Sequence, residues 1–150
     1  MSLLLTTALG KISLRLRPDS APVTVEHISA LARAGTFDGT CFYRSDFVIQ
    51  CGLFGSSKVS PRPALSVNES GKLSNRRGTA AVAHWDVPDC GNSEWFINIE
   101  DSPHLDTAYG GYCVFAEVVA EDAASWATIM AIAKAIPGGA KPKILKCEVL

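Results

Sequence analysis

The punctuation of this chain constrains its fold more than any other feature. About eight short apolar runs of strand length are separated by turns rich in Gly, Pro, Asn and Ser, and only two stretches carry helical spacing. The opening "LLLTTAL" leads through Gly10-Lys11 into "ISLRL", where Ile12, Leu14 and Leu16 alternate with Ser13 and Arg15. That pattern predicts two strands around a turn. Beyond "PDSAP", Val25, Ile28 and Leu31 recur at helical spacing, with Asp19 or Ser20 as the expected cap, Pro22 in the first turn and Gly35 as the stop. His27 is expected on a partly polar face of that helix.

From Gly39 onward the chain reads as β-rich and irregular. Residues 52–77 lack periodicity and predict a long loop, of a length that is usually functional or disordered. Strands are expected in "GTAAVA" (78–83), "WFINI" (95–99) and "YCVFAEVV" (112–119), with loops at 86–93 and in "EDSPHLDTAYGG". Asp122 should cap a second helix carrying Trp126, Ile129, Met130 and Ala133 on one face. "KILKCEVL" predicts a last strand with Leu145, Cys147 and Val149 on one face. The expected fold is mainly β: a closed β-barrel with two α-helices over its ends, forming one domain over residues 1–150.

Composition narrows the function. A net charge of −1 argues against an electrostatic nucleic-acid or membrane binder, and Arg76-Arg77, the only basic doublet, reads as a solvated turn. No apolar run reaches membrane-spanning length, and "MSLLLTTALGK" lacks the basic start of a secretory leader. Five cysteines without a C-x-x-C predict thiols in a reducing compartment, cytoplasmic or nuclear, rather than a disulfide framework. The three histidines have no i, i+4 spacing, so no metal is expected. There is no G-x-S-x-G elbow and no phosphate-loop order.

One stretch resists the bland reading. In "GTCFYRSDFVIQCG", Arg44, Asp46 and Gln50 interrupt Phe42, Phe47, Val48 and Ile49. A charge in such a setting needs a partner or a role. With Glu94, Arg44 and Gln50 form a polar trio on apolar strands beside Phe47, Phe96, Leu105 and Tyr112. By residue type alone the trio fits a buried structural ion pair as well as a site.

A resemblance separates the two. "APVTVEHISALARAGTFDGTCFYR", "FVIQCG", "RRGTAAVAHW", "NSEWFINIEDSPHLD" and "GYCVFAEVV" occur in the order of the helix, strand and loop landmarks of the cyclophilins, which are peptidyl-prolyl cis-trans isomerases. The chain resembles that family from residue 2 to 150. The resemblance implies an eight-stranded antiparallel barrel with two capping helices. It also implies rotation of X-Pro bonds in peptides and folding proteins by a monomer without a cofactor. It places Arg44 on the catalytic arginine and Gln50 on the glutamine that supports it. Phe47, Val48, Phe96 and Leu105 fall on the walls of a proline pocket. Ala83 and His84 fall where the peptide backbone binds, and Tyr112 where the family has histidine or tyrosine.

Three departures carry expectations of their own. Only Ser45 and Asp46 separate Arg44 from Phe47, where the family has a longer connection. Ser-Asp is not a favoured two-residue hairpin turn, so a bend or a bulge is expected. Glu94 stands where the family has a glutamine that contacts peptide. An ionised glutamate only accepts hydrogen bonds, so Glu94 should either pair with Arg44 and restrain it or point to solvent. His104 stands where cyclosporin-sensitive members have tryptophan, which predicts weak or no cyclosporin binding. Together the departures keep a second reading open, a proline-peptide binding module with little or no catalysis.

Overall fold

The computed structural model describes residues 1–85 and 89–150. Of the loop expected over 86–93, residues 86–88 therefore lie outside the described residues. The strands are β1 (Ser2–Thr7), β2 (Gly10–Leu16), β3 (Cys41–Ser45), β4 (Val48–Gly52), β5 (Thr79–Val82), β6 (Trp95–Asn98), β7 (Val114–Glu117) and β8 (Ile144–Val149). They form one antiparallel sheet of eight strands in the order β3-β4-β6-β5-β7-β2-β1-β8.

The two ends of that order meet. Cys41 bridges Lys143, Phe42 N–H donates to the Pro142 carbonyl at 2.9 Å, and Ile144 N–H donates to the Thr40 carbonyl at 2.7 Å. The sheet thereby curls into a nearly closed barrel. Helices α1 (Pro22–Arg33) and α2 (Ala123–Ala135) pack against it, α1 on β7 and β8, α2 on β2, β3 and β4.

The strand pattern sets the core. Leu3, Leu5, Ile12 and Leu14 alternate inward and are fully buried, joined by Phe37, Phe42, Trp95 and Phe115. Val25, Ile28 and Leu31 of α1 seal one side of this core. Each such side chain contributes about 1.5–3 kcal/mol by leaving water.

Gly35 stops α1 as expected. It adopts φ 74° while its N–H donates to the Ala32 carbonyl and the Thr36 N–H to the Leu31 carbonyl, the paired bonds of a Schellman ending. Among the described residues no helix is long and apolar enough to cross a membrane.

Several local expectations need correction. Neither Asp19 nor Ser20 caps α1: Asp19 is held by Arg17, and the cap position is Ala21. The exposed N–H groups of Val23 and Thr24 instead donate to Glu69, which reaches in from the long loop at 3.2 and 2.7 Å. A distant carboxylate does what the local sequence was expected to do.

His27 is not on a polar face. It is 3% exposed, and its Nε2 donates to Asn92 Oδ1 at 3.0 Å. Asp122 does cap α2, accepting from the Ser125 N–H at 3.0 Å. The buried face of that helix, however, is Ser125, Thr128, Ile129, Ile132 and Ala133, with Met130 turned outward. Trp126 lies at the margin, beneath the guanidinium of Arg77, which sits 3.8 Å from a ring centroid.

Leu145 is exposed as well. The β1–β8 register shifts between Thr6 and Thr7, which pair with Lys146 and Ile144, so Leu145 is the extra residue of a bulge and is pushed outward.

Candidate active site

Four strands of the barrel are apolar on both faces. Ile49, Cys51, Trp95, Ile97 and Phe115 point into the main core. From the other face of β4, β5, β6 and β7, Val48, Ala81, Phe96 and Val114 form a second buried cluster with Leu105, and Phe47, Ala83 and Tyr112 pack at its margin. A strand buried on both sides loses its alternation, which is why Trp95, Phe96 and Ile97 stand as consecutive apolar residues.

The loop from Pro103 to Tyr112 folds over this outer face in two short 3-10 turns, Pro103–Asp106 and Ala108–Gly110. Between loop and sheet lies an open cavity of about 1010 Å3. All eleven residues singled out from the sequence line it: Arg44, Phe47, Val48, Gln50, Ala83, His84, Glu94, Phe96, His104, Leu105 and Tyr112. Tyr43, Phe54, Trp85 and Tyr109 line it too and had not been singled out.

A buried polar network holds the loop in place. Asp106 accepts from the Asn75 N–H at 2.7 Å, from the Asn75 amide at 2.9 Å and from the Ser74 hydroxyl. Asn75 also donates to the Tyr112 carbonyl at 3.1 Å and accepts from Asn98 at 3.1 Å. Asn75 and Asn98 are fully buried. Burial pushes the Asp106 carboxyl up, but these hydrogen bonds outweigh it and hold the group below the usual carboxylate range. The network fixes Leu105 and Tyr112, whose backbones also bond to each other at 2.9 Å.

The aromatic walls interlock. Phe96 meets Tyr112 edge to face at 5.8 Å, and Tyr112 stacks on His84 at 4.3 Å. His84 Nε2 reaches the Gly111 carbonyl at 2.8 Å, so the imidazole ties β5 to the roof. On the other side, exposed His104 meets the Phe47 ring at 5.1 Å.

The β3–β4 hairpin builds the polar rim. The register shifts between Phe42 and Arg44, which pair with Cys51 and Gln50, so Tyr43 is a bulge. The turn lies beyond it: Ser45 pairs with Ile49, the Asp46 N–H donates to the Val48 carbonyl at 2.9 Å, and Phe47 stands at the bend. The short connection is thus accommodated by a bulge together with a bend, as the Ser-Asp pair suggested.

This geometry delivers Arg44 to the cavity. Its Nε donates to Asp46 Oδ2 at 2.8 Å, its Nη1 donates to Gln50 Oε1 at 3.0 Å, and its guanidinium carbon lies 5.5 Å from the centroid of Phe47. Gln50 Nε2 in turn donates to the Tyr43 hydroxyl at 3.0 Å, and that hydroxyl donates to Glu94 Oε1 at 2.9 Å. The rim is therefore one chain of donors and acceptors from Arg44 to Glu94. Burial, and next the Glu94 charge, push the Tyr43 phenol well above its usual range, so it remains a donor.

Glu94 does not pair with Arg44, nor does it point to solvent. It accepts from Tyr43, from the N–H groups of Leu53 and Phe54 at 3.0 Å each, and from the Ser93 hydroxyl at 2.8 Å. Four donors on one carboxylate make it a staple for the turn after β4. The space for it exists because residue 52 is glycine: a Cβ there would lie 2.4 Å from the Glu94 carboxyl carbon. The acid that meets Arg44 is Asp46, from the connection itself.

Among the described residues no cluster of His, Cys, Asp and Glu has the makings of a metal site. What the arrangement offers is an apolar slot with one guanidinium at its rim. It suits a small apolar ring attached to a polar backbone.

Residues 2–149 match the family model described as "Cyclophilin type peptidyl-prolyl cis-trans isomerase/CLD". Over 123 residues, 77% of its length, the chain is 37% identical to peptidyl-prolyl cis-trans isomerase A of Dickeya dadantii, of which it spans 64%. Over 124 residues, 76% of its length, it is 38% identical to the isomerase cyp18 of Streptomyces antibioticus, of which it spans 74%. In fold it is similar to a cyclophilin-type isomerase from Cryptosporidium parvum, crystallised in the presence of the dipeptide Ala-Pro. That likeness has a TM-score of 0.82 at 20% identity and covers 100% of this chain and 99% of that one.

Proposed function

The chain belongs to the cyclophilin-type peptidyl-prolyl cis-trans isomerase family, and from that premise we propose that it accelerates rotation about X-Pro bonds in peptides and folding proteins, with Arg44 as the catalytic group. The observation that carries this reading is the Arg44 guanidinium held at the rim of the Phe47, Phe96 and Leu105 slot.

The chemistry follows from the amide. An X-Pro bond has partial double-bond character, and the rotation barrier is about 18–20 kcal/mol. No nucleophile and no proton transfer are needed. As the bond twists, the prolyl nitrogen becomes pyramidal and gains a lone pair. A guanidinium that donates to that nitrogen stabilises the twisted amide more than the planar one, and only such differential binding speeds the step. Arginine keeps its charge beside an apolar wall and has donors to spare after Asp46 and Gln50 are served. The slot grips the proline ring while the preceding carbonyl swings. Ala83 and His84 supply the side of the cavity where the peptide backbone would lie.

The family's glutamine contact to peptide is replaced by Glu94, whose oxygens are engaged internally. Cys41, Cys51, Cys113 and Cys147 are free thiols, which supports a reducing compartment such as the cytoplasm.

A protease-coupled assay on an Ala-Pro peptide tests the reading. Acceleration above the uncatalysed rate is the expected result. Peptide binding with no acceleration would establish the binding-module reading instead.

A further inference from the structure

We infer that Asp46 is a positioning residue for Arg44: the short connection supplies a carboxylate that clamps the Nε side of the guanidinium and, opposite Gln50, fixes which donors face the substrate. This rests on the proposal that Arg44 acts on the twisting amide.

The bond pattern is the argument. A guanidinium is a planar fork with five N–H donors, and its orientation is set by which of them are occupied. Here Nε is taken by Asp46 Oδ2 and one Nη1 hydrogen by Gln50 Oε1. Held at two places, the plane cannot swing about its long stem. Among the described residues Nη2 donates to no protein group, so its hydrogens and the second one on Nη1 are left for a ligand.

Asp46 is itself fixed. Its Oδ1 accepts from the Val48 N–H at 3.1 Å, and its own N–H donates to the Val48 carbonyl at 2.9 Å. One carboxylate thus ties the bend to the arginine that the bend presents, and Val48 begins the strand that lines the slot. A second acid cannot take over the role, because Glu94 is engaged with Tyr43, Ser93, Leu53 and Phe54.

Two effects of Asp46 oppose each other. Its negative charge weakens the field of Arg44, while its hydrogen bond orients the group. Both side chains are 43% exposed, so water screens the charge. Relief of an exposed pair changes a rate by no more than about fivefold. Misplacing a reacting group by about 1 Å costs about a hundredfold. Orientation prevails, and loss of Asp46 slows the reaction.

The test uses Asp46→Ala and Asp46→Asn in the full chain. The asparagine variant retains one carbonyl acceptor for the Val48 N–H and so preserves the bend. Turnover on the Ala-Pro peptide is measured together with the 15N–1H signal of Arg44 Nε, assigned by its loss in Arg44→Lys. The wild type should show a slowly exchanging Nε–H. Both variants should lose that protection, and kcat should fall about tenfold with KM changed less than about twofold. A kcat within twofold of wild type in Asp46→Asn overturns the inference and leaves the isomerase reading standing. A fall in kcat with Nε–H protection intact also overturns it, since Asp46 would then act only through the hairpin. A wild type with no isomerase activity overturns the isomerase reading and this inference with it.

Discussion

The two halves of the cavity are built by different forces. The apolar wall of Val48, Phe96 and Leu105 is made by burial and continues the packing of the barrel. The polar rim of Arg44, Asp46, Gln50, Tyr43 and Glu94 is made by hydrogen bonds on a bulged hairpin, and Arg44 and Asp46 are 43% exposed. Burial acts on stability directly, because it is lost wholesale on unfolding. A half-exposed hydrogen bond exchanges a water partner for a protein one and adds little to stability. The wall should therefore serve fold and site together, and the rim should serve the site almost alone.

The sharpest way to break that contrast is Phe96→Ala. Phe96 is 3% exposed and touches both the slot and the aromatic lock with Tyr112. The expected loss is about 3–5 kcal/mol of unfolding free energy, seen in urea denaturation, together with loss of peptide binding. A variant that lost binding but kept full stability would show that the wall is separable from the core.

The roof offers a smaller test. Asp106→Ala should cost about 1–3 kcal/mol, because it leaves buried donors of Asn75 without their acceptor. The same network sets a pH dependence. The folded-state pKa of Asp106 lies below its unfolded value, so its contribution is fully present above the unfolded pKa. It is lost as pH falls through the folded value, below about pH 4. A urea midpoint for wild type relative to Asp106→Ala that converged near pH 6 would contradict the assignment.

The smallest effect is expected at Glu94, which stands where the wall meets the rim. Glu94→Gln replaces an acceptor of four donors with a group whose nitrogen must face donors, at a cost of about 1 kcal/mol. The kcat/KM should not rise. A rise would revive the idea that Glu94 holds Arg44 back, which the geometry opposes.

The strands of the wall were legible as apolar runs, and the resemblance to the family assigned Phe47, Val48, Phe96 and Leu105 to one pocket. Alternation in "ISLRL" marked the buried face of β2, and "WFINI" marked a strand, which the structure buries on both faces. Arg44, Asp46, Gln50 and Glu94 of the rim were legible by type, since polar and charged groups within apolar runs are conspicuous, whereas Tyr43 was not. Their partners were not. Arg44 meets Asp46 rather than Glu94 because a bulge at Tyr43 and a bend at Phe47 turn the hairpin, and neither has a local signature beyond an awkward Ser-Asp pair. The remaining misses share that cause. Glu69 caps α1 across 46 positions, and Asn75 and Asn98 brace the roof from far away in the chain. Long-range polar contacts of this kind leave no spacing to read.

The central claim is that an apolar slot becomes an isomerase through one guanidinium. It is tested most directly by Arg44→Ala, measuring kcat/KM on an Ala-Pro peptide, the Kd of a proline peptide and the urea midpoint on the same sample. The account predicts a fall in kcat/KM of about 10²–10³, a Kd changed by less than tenfold and an unfolding free energy within about 0.5 kcal/mol of wild type. Turnover that persisted at the wild-type level without Arg44 would contradict it.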